Sequence, residues 1–162
     1  MKSSLRAAAI GVLAGSRVLA QDTVQKTRLK ARLAVNIAEM AVAECAVDGY
    51  SVSAAVTDRS GVLLALVRSE KAGAHTADAS RQKAFTTASS RSPTSAIVEN
   101  VAGNPRIAWL ADLPDYLVLA GGVPIKVGEE TIGAVGVAGA PNGGLDEDCA
   151  NIAIEEVKSR LN

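Results

Sequence analysis

The chain has a single histidine, His75, followed on one run of sequence by two basic residues spaced by two, Arg81 and Lys83. Neutral imidazole is a common ligand of haem iron. The planar fork of arginine suits a carboxylate. His75 lies beside Gly73 in a loop that opens a helix, a position where functional residues gather. A sole histidine also serves as a plain surface or capping residue, and both readings stand. Arg81 and Lys83 point to different sides of a helix, because residues two apart do not face one another. Ala77, Ala84, Phe85 and Ala88 sit at helical spacing around Arg81, which puts Arg81 on the inward, apolar stripe. Lys83 keeps company with Ser80, Thr86 and Thr87 on the wetter side. A charge on an inward stripe needs a partner. For Arg81 that partner is a ligand carboxylate, or Asp78 three residues back, or another acid of the protein.

Other chemistry is excluded by residue type. A structural zinc site wants about four Cys or His ligands, and His75, Cys45 and Cys149 are too few. A serine triad wants a nucleophile elbow, and no G-x-S-x-G occurs. The segment Leu119 to Ala150 holds eight of the fourteen glycines and runs into a helix. No Lys-Ser or Lys-Thr follows a glycine, as a P-loop requires. Gly133, Gly136 and Gly139 lie in or beside the apolar run Ile132, Val135, Val137, which reads as a strand. Asp146, Glu147 and Asp148 suit the positive end of the following helix but would repel phosphate there. These glycines therefore mark turns and close packing.

The elements that position these residues follow from periodicity. Leu29, Leu33, Ile37, Met40, Ala41 and Cys45 recur at helical spacing, giving a helix from about Val24 to Val47 that stops at Asp48-Gly49. Lys26, Arg28, Lys30 and Arg32 are scattered around it as solvated charges. Val52, Ala54 and Val56 alternate as a strand, and Asp58-Arg59-Ser60-Gly61 is turn chemistry. Val62 to Val67 is continuously apolar and reads as a central strand. A second helix runs to about Ser89 with Thr76 as its N-cap. Ser92 caps a short third helix with Pro93 in its first position. Asn104 to Pro114 is loop with local structure. Strands are expected over Tyr116 to Ala120, Val123 to Val127 and Thr131 to Ala138, then a helix from Asp146 to Leu161. The order predicts an α+β fold: a five-stranded antiparallel sheet packed between helices.

Composition sets the class. Aromatics are 2% and hydrophobic residues 48%, so the core is built from Ala, Val, Leu and Ile. The shortage of stacking platforms argues against single-stranded nucleic acid. Lys2 and Arg6, the apolar run Ala7 to Gly15, and Val18-Leu19-Ala20 form the layout of a signal peptide over residues 1–20, cut before Gln21. One domain is expected over 21–162. Basic and acidic residues number 17 each, so loss of Lys2, Arg6 and Arg17 leaves a net charge of −3. That balance speaks against DNA or anionic lipid. No further run reaches transmembrane length, so a soluble protein outside the cytoplasm is expected. Cys45 and Cys149 could pair in an oxidising compartment, or stand as two small buried residues in two helices, the reading preferred here.

The segments VTDRSGVLLALVRSEKAGAHTADASRQKAFTTA, SPTS and LAGGVPIKVGEETIGAVGVAGAPNGGLDEDCA resemble the GlcG/HbpS-like haem-binding family. That domain also occurs at the C-terminus of PduO-type corrinoid adenosyltransferases. The resemblance spans roughly residues 30 to 160. It implies a profilin-like or roadblock-like α-β-α arrangement and homo-oligomers from dimer to octamer. It implies haem as the cofactor, with haem degradation or iron release among the family's activities. Haem ligands in the family are His or Thr, with no fixed position; His75 is the candidate axial ligand of haem iron by its place in the chain, and His75, Thr76, Arg81, Lys83, Thr87 and Thr94 are the candidate ligand-binding residues. With the signal peptide, the expected function is a secreted or periplasmic haem-binding oligomer. Two other readings stay open: a domain that binds or assembles around an organic acid or corrinoid without haem, and an enzyme acting on a small carboxylate.

Overall fold

The structure is a computed structural model and describes residues 26–161. The expected signal peptide and its cut before Gln21 lie outside the described residues.

Helix α1 spans Ala31–Val47. Residues 26–30 are not helical, and Lys30 is extended at φ −76° and ψ 138°. Cations are unfavourable at the positive end of a helix, and Lys26, Arg28 and Lys30 precede α1, leaving Arg32 alone of the basic run inside it. The helix ends as Asp48-Gly49 predicts. Gly49 takes φ +80°, and the Tyr50 and Gly49 amides donate to the Cys45 and Ala46 carbonyls at 2.9 and 3.0 Å, a Schellman closure.

The strands are β1 (Ser53–Asp58), β2 (Leu63–Arg68), β3 (Gly122–Val127) and β4 (Glu130–Ala138). They form one antiparallel sheet in the order β2-β1-β4-β3. Two expectations are corrected. The sheet has four strands, not five: residues 116–120 form none. Asp115 turns the chain at φ +62°, and the Leu117 amide donates to Thr86 Oγ1 at 2.8 Å instead of to a ladder. The run Val62 to Val67 forms an edge strand, with Leu63 and Leu66 exposed. A short apolar run does not by itself tell an edge strand from a central one. The central strands are β1 and β4. The β1–β2 turn is as expected: Asp58 Oδ1 accepts the Ser60 and Val62 amides, and Gly61 takes φ +82°.

Helix α2 (Ala74–Ser90) packs on one face of the sheet, followed by α3 (Thr94–Gly103) and a 3-10 helix (Pro105–Asp112). Helix α4 (Gly143–Val157) packs beside α1 on the other face. The sheet therefore lies between helices. The main core fills the α1/α4 side: Ile37 and Ala41 of α1, Val52 just before β1, Val56, Val135 and Val137 of the sheet, Ala150 and Val157 of α4. Neither Tyr, Phe nor Trp contributes a buried side chain.

That packing decides between the two readings of the cysteines, against the preferred one. Cys45 and Cys149 are buried as expected, yet they are joined in a disulfide with Cα atoms 5.5 Å apart. Adjacent helices on one sheet face bring their side chains within bridging range. Three caps also differ. Gly73, not Thr76, precedes the first residue of α2. Pro93, not Ser92, occupies the cap of α3 and makes no side-chain bond. Helix α4 begins three residues early because Asn142 Oδ1 accepts the Leu145 amide at 3.1 Å.

Candidate functional site

The α2 side of the sheet is paved with small residues. Ser53, Ala55 and Thr57 of β1 stand in register with Ala138, Gly136 and Ala134 of β4, and Gly122 of β3 pairs with Gly136. Successive strand residues alternate between faces, so this row forms one surface. A Cβ on Gly136 would strike the Ser80 carbonyl and lie 2.5 Å from the Ala84 nitrogen. A Cβ on Gly122 would strike Thr87 Oγ1 and lie 2.7 Å from the Lys83 carbonyl. The glycines thus let the backbone of α2 sit directly on the sheet, as their placement in an apolar strand suggested.

The helix face that meets this floor is polar. Thr76, Ser80, Lys83 and Thr87 are all buried, at steps of four, three and four, which is one helical stripe. Here the sequence-based orientation is reversed. Lys83, expected on the wetter side, is 1% exposed, while Arg81, expected inward, is 31% exposed. A stripe of Thr, Ser and Lys carries no hydrophobic signal, so periodicity selected the Ala-rich flank instead.

Each candidate residue then finds a definite place. Lys83 Nζ donates to Asp146 Oδ2 and to the Val137 carbonyl, both at 2.8 Å. Asp146 Oδ1 accepts the Ala140 amide at 2.9 Å. Burial pushes the Asp146 carboxyl above its ordinary range, and the Lys83 contact and backbone N–H groups oppose that without cancelling it. Thr94 Oγ1 accepts the Gly122 amide at 2.8 Å. Thr87 Oγ1 is buried beside Gly122 without a hydrogen-bond partner. Thr76 Oγ1 lies 2.7 Å from Ser53 Oγ and donates to the Gly73 carbonyl at 2.7 Å. Lys83, Thr87 and Thr94 therefore gather around Gly121 and Gly122, while Thr76 and His75 lie at the other end of α2. Eight residues from His75 to Lys83 correspond to about 12 Å of helix.

Arg81 holds protein acids. Its Nε donates to Asp78 Oδ1 at 3.0 Å and its Nη2 to Asp115 Oδ1 at 2.6 Å. The Asp115 bond, more than its charge, raises the Arg81 pKa further. Of the alternatives left open for Arg81, the Asp78 partner is present, and Asp115 is a second. His75 is exposed, and its imidazole folds back over Gly73, where a Cβ would lie 2.7 Å from Cε1. The space that the glycine opens is taken by the ring itself.

The residues that sequence reasoning missed are the partners: Asp146 and Glu147 on α4, Asp115 and Ser53. Glu147 accepts from Ser95 Oγ at 2.8 Å and from the Gly121 amide at 3.4 Å. A buried Lys83 requires an acid, but 63 residues separate it from Asp146, and no local pattern identifies which. Among the described residues there is no group of three or more His, Cys, Asp or Glu side chains that could hold a metal ion. Nor is any helix among them long and apolar enough to cross a membrane. Among the six candidate residues, the structure separates those committed to the fold from those at its surface. Lys83, Thr76 and Thr94 are bound inside the fold and Thr87 is buried, whereas His75 is exposed and its imidazole makes no hydrogen bond among the described residues.

Comparison with known proteins fits this architecture. A family model described as "Haem degrading protein HbpS-like" matches residues 29–155. Protein GlcG of Escherichia coli strain K12 is 37% identical over 113 residues, 70% of this chain and 83% of that protein. The crystal structure of a double mutant of Streptomyces reticuli HbpS superposes with a TM-score of 0.79 at 36% identity, covering 89% of this chain and 98% of the other. A PduOC:heme complex shares the fold at a TM-score of 0.70 and 19% identity, over 80% of this chain and 94% of that one.

Proposed function

Since this chain belongs to the HbpS-like family of haem-degrading proteins, we propose that it is a haem-binding protein exported from the cytoplasm and assembled as a homo-oligomer. The observation that carries the haem reading is His75: the sole imidazole of the chain, exposed at the first turn of α2 and not committed to the fold. Haem bound there would supply an iron centre with His75 as axial ligand. Arg81 is the proposed propionate partner. Its bonds to Asp78 and Asp115 are half-exposed, and exchanging one surface carboxylate for another costs about 1 kcal/mol or less. The export reading rests on the layout of residues 1–20 and is supported by the Cys45–Cys149 disulfide, since such bonds persist in oxidising compartments. Assembly is supported by Trp109, Leu113 and Leu119, exposed on the segment that follows α3.

Titration with haem, read at the Soret band, tests the proposal. Wild type is expected to bind and His75→Ala to bind more weakly with a shifted band, at unchanged fold and assembly. Arg81→Ala is expected to weaken affinity with the band in place. Absence of saturable haem binding would leave the small-carboxylate or corrinoid readings in its stead. A monomer in light scattering at micromolar concentration would refute the assembly, and an intact mass retaining Met1 would refute the cleavage.

A further inference from the structure

Away from α2, on the α1/α4 side, the surface carries a hollow of about 370 Å³ at the start of α1, within the size range of small-ligand sites. Its rim carries Arg28, Lys30, Arg32 and Arg160 and no acid. Its floor is apolar: Leu29 and Ile132 belong to the main core and Leu33 packs against it. A second hollow of about 330 Å³ shares Arg28, Leu29 and Ile132 and continues the groove toward the β1–β2 turn. The one acid of that extension, Asp58, is engaged by the turn amides.

The cations are grouped because residues 26–30 are not helical, and Lys30 is extended. A spacing of two that would scatter charges around a helix instead leaves Arg28 and Lys30 exposed on either side of a buried Leu29. None of the four takes part in an ion pair among the described residues. Three of them also crowd the positive end of α1, whose first turn contains no acid and whose cap residue Lys30 makes no side-chain bond. A chain of balanced overall charge thus concentrates like charges over an apolar floor, an arrangement that costs stability unless something anionic neutralises it.

We infer that this groove binds one small amphipathic anion, a carboxylate on an apolar body, with Arg28, Arg32 and Arg160 meeting the head group and Leu29, Leu33 and Ile132 meeting the body. The site is separate from His75 and does not depend on the haem reading.

The test uses the full chain, titrated calorimetrically with dodecanoate below its micellar concentration, with dodecanoate methyl ester and with dodecylammonium. Dodecanoate is expected to bind saturably at one per chain, more weakly as salt rises, with the ester and the ammonium at least about tenfold weaker. Removing one exposed cation in Arg160→Gln should weaken dodecanoate about two- to fivefold, and Arg28→Gln with Arg32→Gln about tenfold. These side chains are at the surface and crowd one another, so thermal unfolding should not come earlier in the variants. His75→Ala should leave dodecanoate binding intact. Equal binding of acid and ester, or no loss in the arginine variants, would overturn the inference. So would binding to phosphatidylglycerol vesicles without binding of monomeric dodecanoate, which would mark a membrane-facing surface instead.

Discussion

Lys83 Nζ and Asp146 Oδ2 lie 2.8 Å apart with side chains 1% and 4% exposed, joining α2 to the first turn of α4 across the end of β4. The Val137 carbonyl and the Ala140 amide complete the pair. The lysine threads past Gly121, where a Cβ would lie 2.7 Å from Nζ, so a basic residue in the middle of a helix serves the interior.

Breaking that pair from one side leaves a buried, uncompensated charge. Lys83→Met is expected to cost about 3–5 kcal/mol, and Lys83→Met combined with Asp146→Leu much less than the sum of the single changes. Urea unfolding of the four proteins of this cycle checks it. Additive effects would show that the two side chains are not coupled.

Acid should act on Asp146 in an unusual direction. Its folded pKa is raised by burial. A raised value means a stability contribution that is fully present below the unfolded pKa and is lost as pH rises through the folded one. Wild type should therefore gain stability relative to Asp146→Asn when pH falls from about 7 to about 4. Urea midpoints at the two pH values provide the comparison; a relative loss for wild type would reverse the sign.

Gly136→Ala should be costly although alanine is a small residue. The added methyl meets the backbone of α2 at Ser80 and Ala84, and backbone cannot rotate aside. Overpacking of this kind costs about 1–3 kcal/mol. Gly128→Ala, with nothing within 4 Å of the new Cβ, is the comparison for the backbone effect of φ +56° alone. A smaller melting-temperature loss in Gly136→Ala than in Gly128→Ala would contradict the close packing.

The disulfide Cys45–Cys149 spans a sequence separation of 104. Closing a loop near that length is worth about 4.7 kcal/mol in the chain-entropy model, and loss of a native bridge costs about 2–5 kcal/mol. Cys45→Ala with Cys149→Ala should lower the denaturant midpoint accordingly, and a reductant should do the same to wild type but not to the double variant.

What the sequence revealed depended on whether the signal was local. Asp48-Gly49 closes α1 and Asp58 builds its turn with chemistry contained in a few neighbouring residues. The glycines of β4 announced close packing because an apolar strand has few other uses for them. Tyr116 to Ala120 misled because its Leu117 amide is satisfied by a hydroxyl 31 residues away. Arg81 and Lys83 were exchanged because the rule that buried stripes are apolar fails where Thr76, Ser80, Lys83 and Thr87 face a floor of glycine and alanine. His75 was singled out from its type and place, and its exposure follows from a helix start at the molecular surface.

The bridge between α1 and α4 also makes the molecule a covalent ring from Cys45 to Cys149, enclosing all four strands, α2 and α3. The exposed segment around Pro105 to Pro114 lies inside that ring. A protease that cuts there opens the ring without releasing a fragment. The two pieces stay tethered through the helices on the far side of the sheet until a thiol severs them.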